Sequence, residues 1–446
     1  MPAETRAAAA GELSITHARV LRIALPILLA NATVPILGLV DTGVVGQMGE
    51  AAPIGAVGVG AIVLSAVYWV FGFLRMGTTG LVAQAAGASD AAESGAILAR
   101  ALALAALAGL GLIALQTPMS WAAFRLAPAS DEVEALARGY LAIRIWGAPA
   151  TIALYAVTGW LIATERTRAV LGLQLWINGL NVALDLWFVL GLGWGVSGVA
   201  AATLIAEWTG LGLGLWLCRG AFAAAGWRDP ERLADPARLA RMLAVNADIM
   251  IRSVLLQASL VAFVFVGAGF GDVALAANQV LLQFLNVAAY ALDGFAFAAE
   301  VLVGRAVGAQ RLAALRRAVR LTGLWGGLTA LLLAAGFALL APSLIGIMAR
   351  DTAVQTAALA LLPWLLAGVL LSVAAYMLDG IFIGATETRA MRNAMLVSAT
   401  VYAAAVVLLA PVFGNPGLWA ALLVLNIARA GTLARAYPRI EARLAG

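Results

Sequence analysis

IATERTRA at residues 162–169 returns as IGATETRA at 383–390, a shift of 221 residues. The same shift lays Gly87-Ala88 over Gly308-Ala309, Gly147 over Gly368, Tyr155 over Tyr376 and Gly159 over Gly380. Self-similarity at one fixed offset marks a duplicated unit. Composition tells what the unit is built for. Of 446 residues, 63% are hydrophobic and only 11% charged, whereas soluble domains carry about a quarter charged residues. The mean hydropathy of +0.97 points the same way. Such a chain belongs in a bilayer.

A membrane-crossing helix needs about 20 apolar residues. Runs of that kind fall near 18–46, 54–78, 94–117, 134–160, 168–190, 197–218, 240–266, 274–302, 314–340, 353–380, 391–411 and 417–436. They predict an all-α integral membrane protein with twelve transmembrane helices in two pseudo-symmetric six-helix bundles. The first lobe is expected over 1–218 and the second over 240–446, with a cytoplasmic linker, 219–239, containing GWRDPERLADP. Six is even, so both copies enter from the same side and their pseudo-twofold axis runs along the membrane normal. That is a transporter plan, with a cavity between lobes opening alternately to each side. With the N-terminus inside, Arg125, Arg138 and Arg350 are the arginines left on the outer face, and the rest of the loop arginines collect in the cytoplasm. The positive-inside rule then puts both termini in the cytoplasm of a multi-pass protein of a bacterial plasma (inner) membrane.

Other classes are excluded by what the chain lacks. One cysteine, Cys218, and one histidine, His17, leave no disulfide framework and no cysteine or histidine metal set. Every one of the 28 basic residues is arginine, and the basic balance reflects loops on one membrane face, not a nucleic-acid surface. The apolar run after the N-terminus is too long for a signal h-region and is read as a retained first helix. No phosphate-cradling loop or nucleophile elbow is present, so no enzyme is expected and no cofactor beyond a coupling ion, H⁺ or Na⁺.

Against that background, Asp41 stands out inside PILGLVDTGVVGQ, 35–47. A carboxylate in hydrocarbon costs several kcal/mol, and intramembrane acids usually face the bundle interior on an ion or proton path; a buried structural or capping acid is the alternative. Asp41 has company. In NGLNVALDLWF, Asn181 and Asp185 are spaced i, i+4 and share a helix face, with Asn178 a turn away; helix six carries Thr203. At about 1.5 Å per residue, Asp41, Asp185 and Thr203 all lie roughly 9 Å inside the outer ends of their helices. Two carboxylates with amide and hydroxyl oxygens make a hard-oxygen cage for a small cation, so Asp41, Asn181, Asp185 and Thr203 would be the ligands if the ion is Na⁺. Equally, two close carboxylates cannot both ionise easily, which suits a proton. Shifted by 221, Asp41 falls on Ala262 and Asp185 on Val406, so the acid pair belongs to the first lobe alone.

LPILLANATVPILGLVDTGVVGQMG, the twelve-helix repeat and the Asn181/Asp185/Thr203 set together resemble the multidrug and toxic compound extrusion (MATE) family. NADIMIRSVLLQ, 246–257, and AYALDGFAFAAE, 289–300, are similar to its DNA-damage-inducible F branch. The resemblance covers nearly the whole chain. It implies a V-shaped pair of six-helix bundles exporting small amphipathic, often cationic compounds, driven by inward H⁺ or Na⁺, with the first-lobe aspartates as the coupling centre. It also implies a first helix able to bend at Pro26, in keeping with the backbone hydrogen bond that a proline removes. The expected partners are such substrates and the lipid bilayer, with no nucleic acid, and the expected state is a monomer.

The remaining charges have simpler readings. Asp248 and Arg252, i, i+4 on helix seven, are expected to neutralise each other, and Asp293 to complete a charge network with them, within reach of a cationic substrate. Arg144 has no evident partner, Glu207 could extend the first-lobe network or simply pack, and Asp379 is expected at the interface. The principal rival function is a lipid-linked precursor flippase of related two-lobe plan, which would need an arginine-lined central cavity.

Overall fold

A computed structural model describes residues 14–47, 51–126, 130–223 and 225–445, and every regular element among them is helical. The first copy contains α1 (His17–Gly46), α2 (Ala51–Val70), α3 (Phe73–Gly87), α4 (Ala91–Ala114), α5 (Gln116–Leu126), α6 (Asp131–Arg144), α7 (Ala148–Ala163), α8 (Thr167–Asp185) and α9 (Gly195–Leu217). Two short helices follow, α10 (Arg219–Ala223) and α11 (Pro230–Leu233). The second copy is α12 (Pro236–Ala268), α13 (Asp272–Gly308), α14 (Leu312–Met348), α15 (Thr352–Gly384), α16 (Thr388–Phe413) and α17 (Asn415–Ala445). Eleven helical stretches among the described residues are long and apolar enough to cross a membrane. The 30-residue α1 completes the twelve. Helices two and four of the first copy are each built from two segments, α2–α3 and α6–α7.

The backbone repeats at the same offset as the sequence. Among the described residues, the non-glycine ones in the left-handed region come in two pairs 221 apart, Ser89 (φ 59°) with Gln310 (φ 53°) and Glu165 (φ 60°) with Thr386 (φ 53°). Gly193 (φ 69°) and Gly414 (φ 61°) make a third pair. Each non-glycine member stands just past a helix end, where a left-handed residue closes the last turn: Arg166, Arg311 and Glu387 donate their N–H to Leu161, Ala306 and Phe382, five residues back. Close packing repeats too. A side chain at Gly159 would meet the Arg75 carbonyl at 2.6 Å, and one at Gly380 the Ala296 carbonyl at 2.3 Å. These glycines let two helix backbones touch, as small residues do in membrane bundles. Because an L-residue in the left-handed region is strained by about 1 kcal/mol, exposed Ser89, whose side chain has no hydrogen bond among the described residues, is replaceable. Ser89→Gly is expected to raise the melting temperature in detergent by about 1 °C, roughly what 1 kcal/mol gives in a chain of this size; a drop would contradict the strain reading.

The chain divides into two compact units: Met1–Leu28 with Ala83–Ser89 and Arg241–Gly446, and Leu29–Val82 with Asp90–Ala240. In the former, Phe263, Leu281, Phe284, Leu365 and Trp419 are among the buried core, with Phe263 edge-on to Trp419 and Phe284 to Phe337. In the latter, Val45, Leu64, Tyr68, Tyr140, Ile145 and Val199 pack together.

Several boundaries differ from the hydropathy reading; the ninth and twelfth spans, expected over 314–340 and 417–436, run on to Met348 and Ala445. The second span, expected over 54–78, runs on to Gly87, because Arg75, Thr78, Thr79 and Gln84 lower the hydropathy of its last turns. Arg75, Thr78 and Thr79 are buried among other helices rather than in water. The linker 219–239 is also built. Gly226 lies against the Ala92 backbone and Gly95 against that of Ala221, so linker and α4 touch main chain to main chain. Glu93 gathers Arg100, Arg232 and Arg238, and Asp90, which caps α4 by accepting from the Glu93 N–H at 2.8 Å, also takes Arg232.

Candidate functional site

Helix α8 carries the polar face that the i, i+4 spacing foretold. Asn181 and Asp185 are fully buried and Asn178 nearly so. Asn181 Nδ2 donates to Thr203 Oγ1 of α9 at 3.0 Å, and Thr203 in turn donates to the Val199 carbonyl at 3.0 Å. The hydroxyl is thereby fixed with its oxygen toward Asn181. One turn earlier on α8, Gln174 Nε2 donates to Asn178 Oδ1 at 3.0 Å, and Asn178 Nδ2 donates to Thr33 Oγ1 at 2.9 Å. Thr33 belongs to α1 and gives its own proton to the Ala30 carbonyl at 2.7 Å. Two hydrogen-bonded sets therefore leave one face of α8: Asn178 ties it to α1 through Thr33, and Asn181 ties it to α9 through Thr203. Sequence reading missed Thr33, since a lone threonine in an apolar helix usually bonds its own backbone; the signal available was its place two turns before Asp41. The side chain of Asp41 lies outside the described residues.

Asp185 is the last residue of α8. The chain then widens into a π-helical turn, Leu186–Gly191, in which Leu192 N–H reaches the Trp187 carbonyl at 2.9 Å. Phe188 stacks on Trp194 at 4.9 Å and packs against Gly198 of α9. A π turn rotates the residues after it out of α register, and such turns recur at functional sites. Here it begins at the buried acid. The corresponding positions of the second copy, Tyr402, Val406 and Val424, carry no acid or amide.

The charges that seemed isolated are paired. Arg144, at the end of α6, donates to Glu207 of α9 through two nitrogens, at 2.6 and 3.0 Å. Gly147 makes room: a Cβ there would stand 2.4 Å from Glu207 Oε2. Glu207 therefore neutralises Arg144 rather than extending the Asp185 group. In the other unit the expected Asp248–Arg252 pair does not form. Asp248 accepts from Arg392 at 2.7 Å and from Thr388 at 3.2 Å, and Arg252 bonds Asp379, which also takes Arg429 at 2.6 Å. Asp379 is buried, not interfacial. Long side chains reached partners on other helices in preference to the neighbour one turn away. Asp293, Arg252, Asp379 and Arg429 all act electrostatically on Tyr376. Pro26 sits half-buried inside α1, which continues through it.

Three comparisons bear on what this arrangement is for. The family model MatE matches residues 26–187 and again 249–409, once per copy. The chain is 38% identical over 426 residues to DNA damage-inducible protein F of Escherichia coli (strain K12), covering 94% of this chain and 91% of that protein. It is 31% identical over 305 residues to the probable multidrug resistance protein NorM of Deinococcus radiodurans, covering 67% of this chain and 66% of that one. In fold it is similar to the crystal structure of the Vibrio cholerae MATE transporter VcmN in the bent form, with a TM-score of 0.84 and 20% identity over 98% of this chain and 99% of that one.

Proposed function

The chain belongs to the MatE family of multi-pass membrane transporters, which are not enzymes, and from that premise we propose that it is a cation-coupled antiporter exporting amphipathic organic compounds. The observation carrying the proposal is Asp185: an acid buried without exposure, one turn from Asn181, which holds Thr203, at the start of a π turn and absent from the second copy. Asp41, Asn178, Asn181, Asp185 and Thr203 form the coupling site, binding H⁺ or, through their oxygens, Na⁺. No other cofactor enters the cycle. The lobes 1–218 and 240–446 move as bodies in the bacterial plasma membrane with both termini cytoplasmic, and the transporter works as a monomer. Thr33 extends the coupling network into α1, so ion occupancy alters the hydrogen bonds that hold that helix, and Pro26 lowers the cost of its bending. The flippase alternative gains nothing from Arg144 and Arg252, since both are committed to acids.

The test uses everted membrane vesicles loaded by respiration with protons or, separately, with Na⁺. Accumulation of a cationic dye that collapses when the gradient is discharged is the expected result. Dye movement indifferent to both gradients would refute ion coupling.

A further inference from the structure

The second copy contains a cavity of about 340 Å³ that the coupling site does not use. Its walls are apolar, with Leu256, Leu260, Val264 and Trp419 among them. Its polar groups converge from four helices, with Gln257 of α12 and Asn426 and Arg429 of α17 among them. Gln279, Gln283 and Asn286 follow one another at i, i+4 and i+7 on α13 and are exposed. No described residue hydrogen-bonds any of the three. Amides at membrane depth are tolerated only where they face protein or a water-lined cavity, so this row looks into the cavity rather than lipid. Asn286 and Arg429 each stand 14 residues past the start of their helices, α13 and α17, roughly 21 Å along at 1.5 Å per residue. The amide row thus descends to the depth of the guanidinium, where Ser372 and Tyr376 of α15 also meet the cavity.

Charge decides what such a cavity takes. Arg429 is the one charged residue among the lining groups, and no Asp or Glu lines it. Its carboxylate partner is half-claimed, because Arg252 and Arg429 both bond the same oxygen, Oδ2, of Asp379. Asp293, the other acid in this neighbourhood, acts on Tyr376 but does not line the cavity. A cationic head placed here would face a guanidinium with only amides to soften it; an anionic head would complete the pairing of Arg429 through charge-assisted bonds. The cavity's volume and its few polar groups on an apolar wall fit a small-molecule site.

We propose that this cavity is a second ligand site, selective for amphipathic organic anions, with Arg429 receiving the anionic head, Gln283 and Asn286 donating beside it, and Leu260 and Trp419 holding the apolar body. The proposal deepens the transport reading by adding a substrate class that the first-copy acids would not attract, and it rests on that reading only for its use in export.

Its test separates the two. Equilibrium binding to the full chain in zwitterionic nanodiscs is measured, without any gradient, for two probes of one ring system: pyrenebutyrate and pyrenylmethyl-trimethylammonium. The carboxylate probe is expected to bind at least about tenfold more tightly than the cation, the scale of one hydrogen bond to a charged group. Arg429→Gln and the cavity-filling Leu260→Trp should each weaken the carboxylate probe by a similar factor. Gln283→Leu, at an exposed position where misfolding is not expected, should weaken it several-fold. Equal affinity for the two probes, preference for the cation, or carboxylate binding untouched by Leu260→Trp and Gln283→Leu would overturn the proposal. Asp185→Asn should retain carboxylate binding, so a failure of ion coupling leaves this result standing and the reverse holds as well.

Discussion

Asp185→Asn should bring gradient-driven export down to the level of protein-free membranes while leaving a folded protein in the bilayer. Asn keeps the shape and can still hydrogen-bond beside Asn181 and Thr203, but it cannot take up or release a proton, nor supply negative charge to a cation. An ion that no longer binds differentially to the two states of the transporter cannot shift their populations. Couplings of this kind are worth about 1–3 kcal/mol, or roughly 5–150-fold in affinity, and they act reciprocally. In the mutant, therefore, imposing or removing the ion gradient should no longer change the affinity for substrate. The second copy offers no substitute, because Val406 stands at the corresponding position. Measurement of dye efflux and dye binding on the same purified variant checks both parts. Unimpaired coupled efflux would remove Asp185 from the mechanism.

The second large effect belongs to the Arg144–Glu207 pair. Both side chains are buried and bonded through two nitrogens to two oxygens. Removing one partner leaves an uncompensated charge, at a cost of about 3–5 kcal/mol. Arg144→Met and Glu207→Leu are each expected to lower the melting temperature sharply or to prevent accumulation. The double replacement, which removes both charges and refills the space, should recover most of the loss, since apolar substitutes for buried pairs are often neutral or stabilising. The repeat already contains that experiment: the second copy has Leu365 and Ala428 where the first has Arg144 and Glu207. At Gly368, the counterpart of Gly147, a Cβ would meet only Leu423 and Leu285 at 3.5 and 3.8 Å. Thermal unfolding of the two singles and the double gives the coupling energy. Additive losses would mean that the ion pair holds nothing together.

How much of this was legible in the sequence follows from what helical spacing can and cannot encode. The offset of 221 was plain in IATERTRA and IGATETRA, and the left-handed residues at helix ends obey it. Asn181 and Asp185 read correctly as one face because i, i+4 geometry is internal to a helix. Spacing does not say which neighbour that face meets. Thr33 was therefore missed as the acceptor for Asn178, Arg144 and Glu207 appeared as unrelated charges, and Asp248 was assigned to Arg252 instead of Arg392. Hydropathy likewise stops where polar residues begin. It could not tell that Arg75, Thr78 and Thr79 are buried in protein, so the second helix was cut short of Gly87. The π turn after Asp185 left no mark in the amino acids, for Leu186–Gly191 reads as ordinary apolar helix.

The central claim, that ion movement and substrate export are one process centred on the first copy's acids, is tested most directly by driving the cycle backward. Proteoliposomes carrying the purified chain are given a gradient of cationic dye and no ion gradient, and H⁺ and ²²Na⁺ fluxes are followed in parallel. The account predicts a dye-dependent counterflow of one of these ions that vanishes in Asp185→Asn. Dye transport with neither ion moving, or a counterflow that persists in the variant, would contradict it.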